Sequence, residues 1–123
     1  MKRDMDLCRA LLNAMAAQDG GFVNAEKIDI DGYTQDQLDH HYYLLWQAGL
    51  IEAVQSSGIN SASPTAIPLN LTWAGQDFLD AARDPGLWKK AKEKVIGPAG
   101  GVAFSVLLEW LKQEALKQLG LHP

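Results

Sequence analysis

The sequence predicts a single α+β domain that is mostly helical. Apolar residues recur at helical spacing in several segments, short apolar segments have strand composition, and Gly, Pro and Ser separate them. With 123 residues, 47% of them apolar, the chain can bury one core without disulfides or metals. The predicted order is a helix, a strand, a helix and a two-stranded wing. This is a winged-helix-like core, and two or three C-terminal helices follow it.

The first predicted element is an amphipathic helix over residues 4–18. Its apolar residues follow one another at spacings of three and four: Met5, Cys8, Leu12 and Met15. Asp4 or Asp6 can cap its start, and we expect left-handed glycine geometry in residues 19–21 to end it. Residues 27–31 then alternate between polar and apolar, which predicts a short half-buried strand.

The second helix has the clearest start signal, because Thr34 and Gln37 have the spacing of a capping box. Gly49 is expected to end it. Its predicted buried stripe is Leu38, His41 or Tyr42, Leu45 and Ala48. Three segments then form the wing: a strand over 50–54, a turn-rich loop over 55–64 and a strand over 67–71.

Three helices are predicted after the wing. Thr72 can cap a helix to about Arg83 with Phe78, Leu79 and Ala82 facing inward, and Asp84-Pro85 starts the next, which Gly97-Pro98 ends. The last helix, about 101–119, has a broad apolar face: Phe104, Leu107, Leu108, Leu111, Ala115 and Leu119, with Val102, Val106 and Trp110 beside it. We therefore divide the chain into a winged-helix-like domain, 1–96, and a C-terminal extension, 97–123, that packs on the domain or on a second subunit.

Composition narrows the class of protein further. Residues 1–72 hold four basic and nine acidic residues, whereas residues 73–123 hold seven and six. The single cysteine cannot form an internal disulfide, and charged residues near the N-terminus interrupt any signal peptide. No segment is long and apolar enough to span a bilayer. We expect a cytoplasmic protein that does not enter the membrane.

Four blocks of the sequence resemble an uncharacterised family of bacterial and prophage proteins, domain of unknown function 2513. The blocks are MKRDMDL at 1–7, HYYLLWQAGLI at 41–51, LTWAGQDFLDAARD at 71–84 and WKKAKEK at 88–94. The resemblance implies a winged-helix domain over residues 1–96 and brings no established activity. A His often stands in the family where this chain has Gln76. Any shared chemistry that needs that His would be absent here, whereas a packing or capping His is readily replaced by Gln.

A winged helix suggests DNA binding, with the second helix in the major groove and the wing on phosphates. The residues predicted to face outward on that helix include two carboxylates and no Lys or Arg: Gln35, Asp36, Asp39, His40, Tyr43, Trp46 and Gln47. Residues 55–67 also lack Lys and Arg, so the cations that give non-specific affinity are missing. Nucleic acid is therefore disfavoured as a partner. The alternative contact is a basic cluster, for which a solvated helix face is the favoured interpretation: Lys89, Lys90, Lys92 and Lys94.

A protein-interaction module is the favoured hypothesis. Tyr43 and Trp46 lie on the predicted outer side of the second helix, and exposed aromatic residues are typical of interfaces. The open alternative is that the C-terminal helices cover them within the chain. The candidate interface on the last helix, which a homodimer would bury, consists of Phe104, Leu108, Leu111 and Ala115. We expect the chain to bind itself and another protein.

Catalysis has little support in the sequence. Cys8 falls on an apolar stripe, which favours a packed thiol over a nucleophile. His40 and His41 point about 100° apart on a helix and cannot share one metal, and Asp36 with His40 lacks a third ligand. We predict no catalytic residue, metal or cofactor. Three tryptophans at or beside apolar stripes are expected to pack in the core: Trp73, Trp88 and Trp110.

Overall fold

The computed structural model describes residues 1–97 and 104–120. The chain forms two compact units, Met1–Gln76 and Asp77–Pro123, and the division falls within one helix. The regular elements are α1 (Met5–Ala16), α2 (Gln35–Gln47), β1 (Ile51–Gln55), β2 (Ala66–Leu71), α3 (Trp73–Ala81), α4 (Pro85–Ala91) and α5 (Phe104–Gln118). This is the mostly helical α+β class that the sequence predicts. The domain boundary at residue 96 stays a prediction.

Helix α1 begins where the sequence predicts but ends earlier and differently. The Asp4 carboxylate caps it by accepting a hydrogen bond from the Leu7 N–H at 3.1 Å. The expected left-handed end at Gly20 and Gly21 is wrong, because the described residues with positive φ are other glycines. Instead, the Gln18 side chain bonds the backbone N–H and C=O of Asn24, at 2.8 and 2.9 Å, and holds the following turn.

The strand predicted over residues 27–31 is also wrong. Asn24 caps a short 3₁₀ helix, Ala25–Lys27, by accepting a hydrogen bond from the Glu26 N–H at 3.1 Å. The sheet is met earlier, where the Val23 N–H donates to the Leu69 carbonyl at 2.8 Å. The polar and apolar alternation reflects the burial of Ile28 in a segment that has no strand partner among the described residues.

Helix α2 and the hairpin follow the prediction. Thr34 and Gln37 form the capping box, with each side chain accepting from the other residue's N–H, and Gly49 ends the helix with a φ of 77°. Strands β1 and β2 pair antiparallel, with an irregularity between Glu52 and Ala53. The predicted stripe is buried except for Ala48, which is exposed.

Helix α4 starts at Asp84 and Pro85 as predicted, since the Asp84 carboxylate accepts the Gly86 and Leu87 N–H groups. A π-helical turn, Lys92–Ile96, follows directly. Its wider turn delays the buried position by one residue, so Ile96 is buried where regular spacing predicts Val95, which is half-buried.

The core of the second unit contains packed aromatic rings among aliphatic side chains. Phe78 is fully buried, with its ring centroid 6.2 Å from that of Trp88 and 5.2 Å from that of Phe104. The inward positions predicted for α3 are confirmed, since Phe78, Leu79 and Ala82 are all buried. The predicted start of the last helix at 101–103, including Val102, lies outside the described residues.

Candidate interaction surface

Three aromatic rings pack in a row along α2, from the buried His40 to the accessible Tyr43 and Trp46. His40 stacks on Tyr43 with centroids 6.4 Å apart, and Tyr43 meets Trp46 edge to face at 6.0 Å. The Tyr43 hydroxyl accepts a hydrogen bond from the Gln47 side chain at 3.1 Å, which fixes the ring. Trp46 is 37% exposed and Tyr43 is half-buried. We call Tyr43 and Trp46 the α2 surface.

The expectation that His40 faces outward is wrong. His40 is 92% buried, because the loop between β1 and β2 covers its ring. The ring Nδ1 lies 2.7 Å from the Pro64 carbonyl of that loop. Loop packing, which the helical spacing does not contain, decides this position. His40 therefore packs its ring against that of Tyr43 and does not offer a free imidazole at the surface.

The charges beside the α2 surface are negative. Asp36 is exposed, and the half-buried Asp39 accepts a hydrogen bond from the Gln35 side chain at 2.8 Å. The described α2 and hairpin contain no Lys or Arg. The four candidate nucleic-acid contacts lie in the second unit, where all are exposed along α4 and the π-helical turn: Lys89, Lys90, Lys92 and Lys94.

The candidate interface residues on α5 differ in accessibility. Leu111 is fully buried within the chain, whereas Phe104, Leu108 and Ala115 are half-buried. Val106 and Leu119 remain 53% and 73% exposed. Helical spacing puts Phe104, Leu108, Ala115 and Leu119 within about 60° of one another along α5 and its last turn, so they form one accessible apolar strip, the α5 strip. Val106 lies on the opposite side of the helix.

A groove of about 590 Å³ opens on the first unit between the end of α1, residues 20–23 and the hairpin. We call it the α1–hairpin groove. Glu52 of β1 is the one charged side chain among its described lining residues, and Asn70 and Gln76 add amides. Phe22, with 79% of its surface exposed, also lines it. The sequence patterns do not predict this groove, because its lining residues come from separate parts of the chain.

A partly buried polar cluster joins the start of α1 to α2. The Asp4 N–H donates to His41 Nε2 at 2.9 Å, and the opposite ring nitrogen of His41 lies 2.8 Å from the Gln37 carbonyl. The neutral tautomer with a proton on Nδ1 satisfies both contacts. The Tyr33 hydroxyl donates to the other Asp4 oxygen at 2.8 Å, a bond that raises the pKa of Tyr33 to about 12.

Because of this cluster, we expect the folded protein to be less stable in acid. Burial lowers the pKa of His41, because the charged imidazolium is poorly solvated there. The unfolded chain takes up this proton at about pH 6.5 while the folded chain resists it. The contribution of His41 to stability is therefore full above that pH and is lost as the pH falls below it. We expect a lower urea midpoint at about pH 5.5 than at about pH 7.5.

His41→Gln should reduce this difference in urea midpoint, because it removes the titrating ring. The matched control is His122→Gln, outside the described residues, which should keep the wild-type difference. Equal pH dependence in the His41→Gln variant and the wild type would contradict the assignment.

Comparison with known proteins places the chain in a family. A model of the family described as "Hypothetical protein (DUF2513)" matches residues 2–101. The chain belongs to the DUF2513 family. An uncharacterized protein of Haemophilus influenzae (strain Rd) is 33% identical to it over 95 residues, 77% of this chain and 79% of that relative. No solved structure matches.

The family match covers the first unit of this DUF2513 chain from residue 2 onward, including the α2 surface and the α1–hairpin groove, and ends before α5. Gln76, the position where the resemblance leads us to expect a His, is exposed and lines that groove. None of the helices in 1–97 and 104–120 is long and apolar enough to cross a membrane.

The tryptophans of the DUF2513 chain differ in their surroundings. Trp88 is buried as predicted and Trp110 is half-buried, but the core prediction is wrong for Trp73, which is 85% exposed. Helix α3 buries its opposite side, where Gly75 and Phe78 lie. The spacing from Gly75 to Phe78 and Ala82 was the available signal for this orientation.

The structure shows the surroundings of Cys8, the candidate nucleophile, and of the residues that could bind a metal. Cys8 is buried, and burial raises the pKa of its thiol to about 12. In the described part of the chain, no group of three or more His, Cys, Asp or Glu residues is arranged to hold a metal. Tyr42 is also buried. Its burial, and to a smaller extent the negative charge of Asp39, raises the pKa of its hydroxyl to about 12.

Proposed function

We propose that this DUF2513 chain is a non-catalytic protein-interaction module of winged-helix type and that the α2 surface contacts its partner. The observation that carries the proposal is the accessible, mutually packed pair Tyr43 and Trp46. Both residue types are enriched at interfaces, where a rigid ring buries a large area at little cost in conformational entropy. The adjacent Asp36 and Asp39 favour a partner surface that is neutral or basic.

DNA binding through α2 is disfavoured by the same charges. A helix and a wing without cations release no counterions from phosphates and repel the duplex. The alternative is a winged-helix regulator that contacts DNA through four exposed lysines of α4 and the π-helical turn: Lys89, Lys90, Lys92 and Lys94. Retention on duplex DNA that falls with salt, and that is lost when these lysines are replaced by Gln, would favour this alternative over the α2 surface.

The test of the α2 surface is affinity capture from bacterial lysate with the full chain as bait, followed by measurement of Kd for the captured protein. Trp46→Ala and Tyr43→Ala should each weaken binding about thirtyfold, as expected for a central aromatic contact. Trp73→Ala is the matched control, since Trp73 is exposed on α3. Binding that depends on Trp73 and not on Trp46 would overturn the proposed surface.

We further propose that the chain forms a homodimer through the α5 strip. Covering Leu119, Leu108 and Ala115 with the same strip of a second copy would remove their accessible apolar surface from water. Light scattering should give a dimer for the wild type and a monomer for Leu119→Asp. Val106→Asp is the matched control, because it adds the same charge at an exposed apolar residue on the opposite side of α5 and should leave the dimer intact. A monomeric wild type would overturn the dimer.

A further inference from the structure

We propose that the α1–hairpin groove binds a Lys or Arg side chain of a partner protein. The proposal rests on the proposed function, because it gives an interaction module a partner class, but no residue of the α2 surface lines the groove. Its volume of about 590 Å³ lies within the range of small-ligand sites, so a long side chain and part of its backbone fit.

The lining supplies hydrogen-bond acceptors around one negative charge. Among the described residues, none donates a hydrogen bond to the exposed Glu52 carboxylate. Asn70 pairs with Glu52 across the hairpin. Its side-chain N–H donates to the Leu71 carbonyl, so its side-chain oxygen remains available to accept a hydrogen bond. Gln76 adds another amide oxygen. Ammonium and guanidinium groups only donate, so this set of acceptors complements them.

Two neighbouring features also favour a cation. The groove includes Ala16, the last residue of α1, and the last turn of this helix has no basic residue. The negative end of the helix dipole is therefore not compensated by the helix itself. The exposed Phe22 ring can pack along an aliphatic stem or face the charge.

The net charge of the first unit also attracts positively charged ligands. Residues 1–76 contain four basic and nine acidic residues, a formal net charge of −5. This charge raises the rate at which basic segments encounter the groove. One carboxylate is too few for a bound divalent metal ion, which prefers several oxygen ligands held together. The occupant with matching chemistry is a basic side chain.

The groove wall is also held in place before binding. The Gln18 side chain makes two hydrogen bonds to the Asn24 backbone, and the Val23 N–H donates to the Leu69 carbonyl of β2. Residues 20–23 between these anchors therefore need little ordering when a ligand enters.

The test uses N-acetyl-arginine amide as the probe and follows the amide signals of the full chain by NMR. Saturable shifts are expected at Glu52, Asn70 and Gln76. N-acetyl-citrulline amide has nearly the same shape without the charge and should cause none. Glu52→Gln should weaken arginine binding about tenfold, and Phe22→Ala about two- to fivefold.

The matched control is Glu26→Gln, which makes the same charge change at an exposed residue outside the groove. Equal weakening by Glu26→Gln and Glu52→Gln, or equal binding of citrulline, would overturn the proposal. A basic nonapeptide should bind more tightly than spermidine, and the reverse order would overturn the assignment of a protein ligand.

The same variants separate this proposal from the proposed function. Trp46→Ala should leave arginine binding unchanged. Absent arginine binding would overturn the groove proposal whether or not capture depends on Trp46. A capture that does not depend on Trp46 would overturn the α2 surface without changing the arginine result.

Discussion

Gly75→Ala is expected to destabilise the protein by about 3 kcal/mol or more, at the upper end of overpacking substitutions. Alanine normally favours a helix over glycine by about 1 kcal/mol, so the expected sign is reversed. The reason is that a Cβ at Gly75 would overlap the Leu50 carbonyl oxygen and lie 3.1 Å from Leu71 Cδ2.

The Leu50 carbonyl has little freedom to move away from the new Cβ. It accepts the Thr72 N–H at 3.0 Å, while the Thr72 hydroxyl donates to the neighbouring Gly49 carbonyl at 2.6 Å and accepts the Gly75 N–H at 3.1 Å. Thr72 thus caps α3 and ties it to the corner between α2 and β1. Relief of the clash would break these bonds.

Urea denaturation measures the effect of Gly75→Ala, and a chain that loses its cooperative transition meets the prediction as well. Gly58→Ala is the control, because a Cβ there has open space and the backbone is not left-handed. It should change stability by less than about 0.5 kcal/mol. A Gly75→Ala variant as stable as Gly58→Ala would contradict the close packing of α3.

Phe78→Ala is expected to cost about 3–5 kcal/mol, as large aromatic truncations in cores do. Phe78 is fully buried and contacts two other rings of the second unit, those of Trp88 and Phe104. Removing it leaves a cavity and ends both ring contacts, each of which adds to the loss of buried area.

Chemical denaturation monitored by tryptophan fluorescence checks the Phe78 prediction, since Trp88 lies beside the deleted ring. Phe22→Ala is the matched control, because the same substitution at a side chain that is 79% exposed removes little buried surface. It should cost less than about 1 kcal/mol. Similar losses in the two variants would mean that Phe78 is not a core residue.

Elements whose signals are local can be predicted from the sequence alone. The capping box of Thr34 and Gln37 and the Asp84-Pro85 start are side-chain contacts within one turn, so spacing alone predicts them. The two hairpin strands were likewise predicted from composition and the turn-rich loop between them. Segment 27–31 failed because alternation reports burial on one side and not pairing with a neighbour.

Contacts between distant segments cannot be predicted from local patterns. The spacing of Phe78 and Ala82 marks the buried side of α3, but the close approach of Gly75 to Leu50, which keeps Trp73 on the exposed side, is a contact between separate segments. His40 is buried by a loop carbonyl 24 residues away.

The α1–hairpin groove depended on tertiary structure in the same way, because it joins Phe22, Glu52 and Gln76 from separate parts of the chain. Spacing fixes angles around a single helix or strand. Contacts between distant residues depend on how those elements pack, which no local pattern encodes.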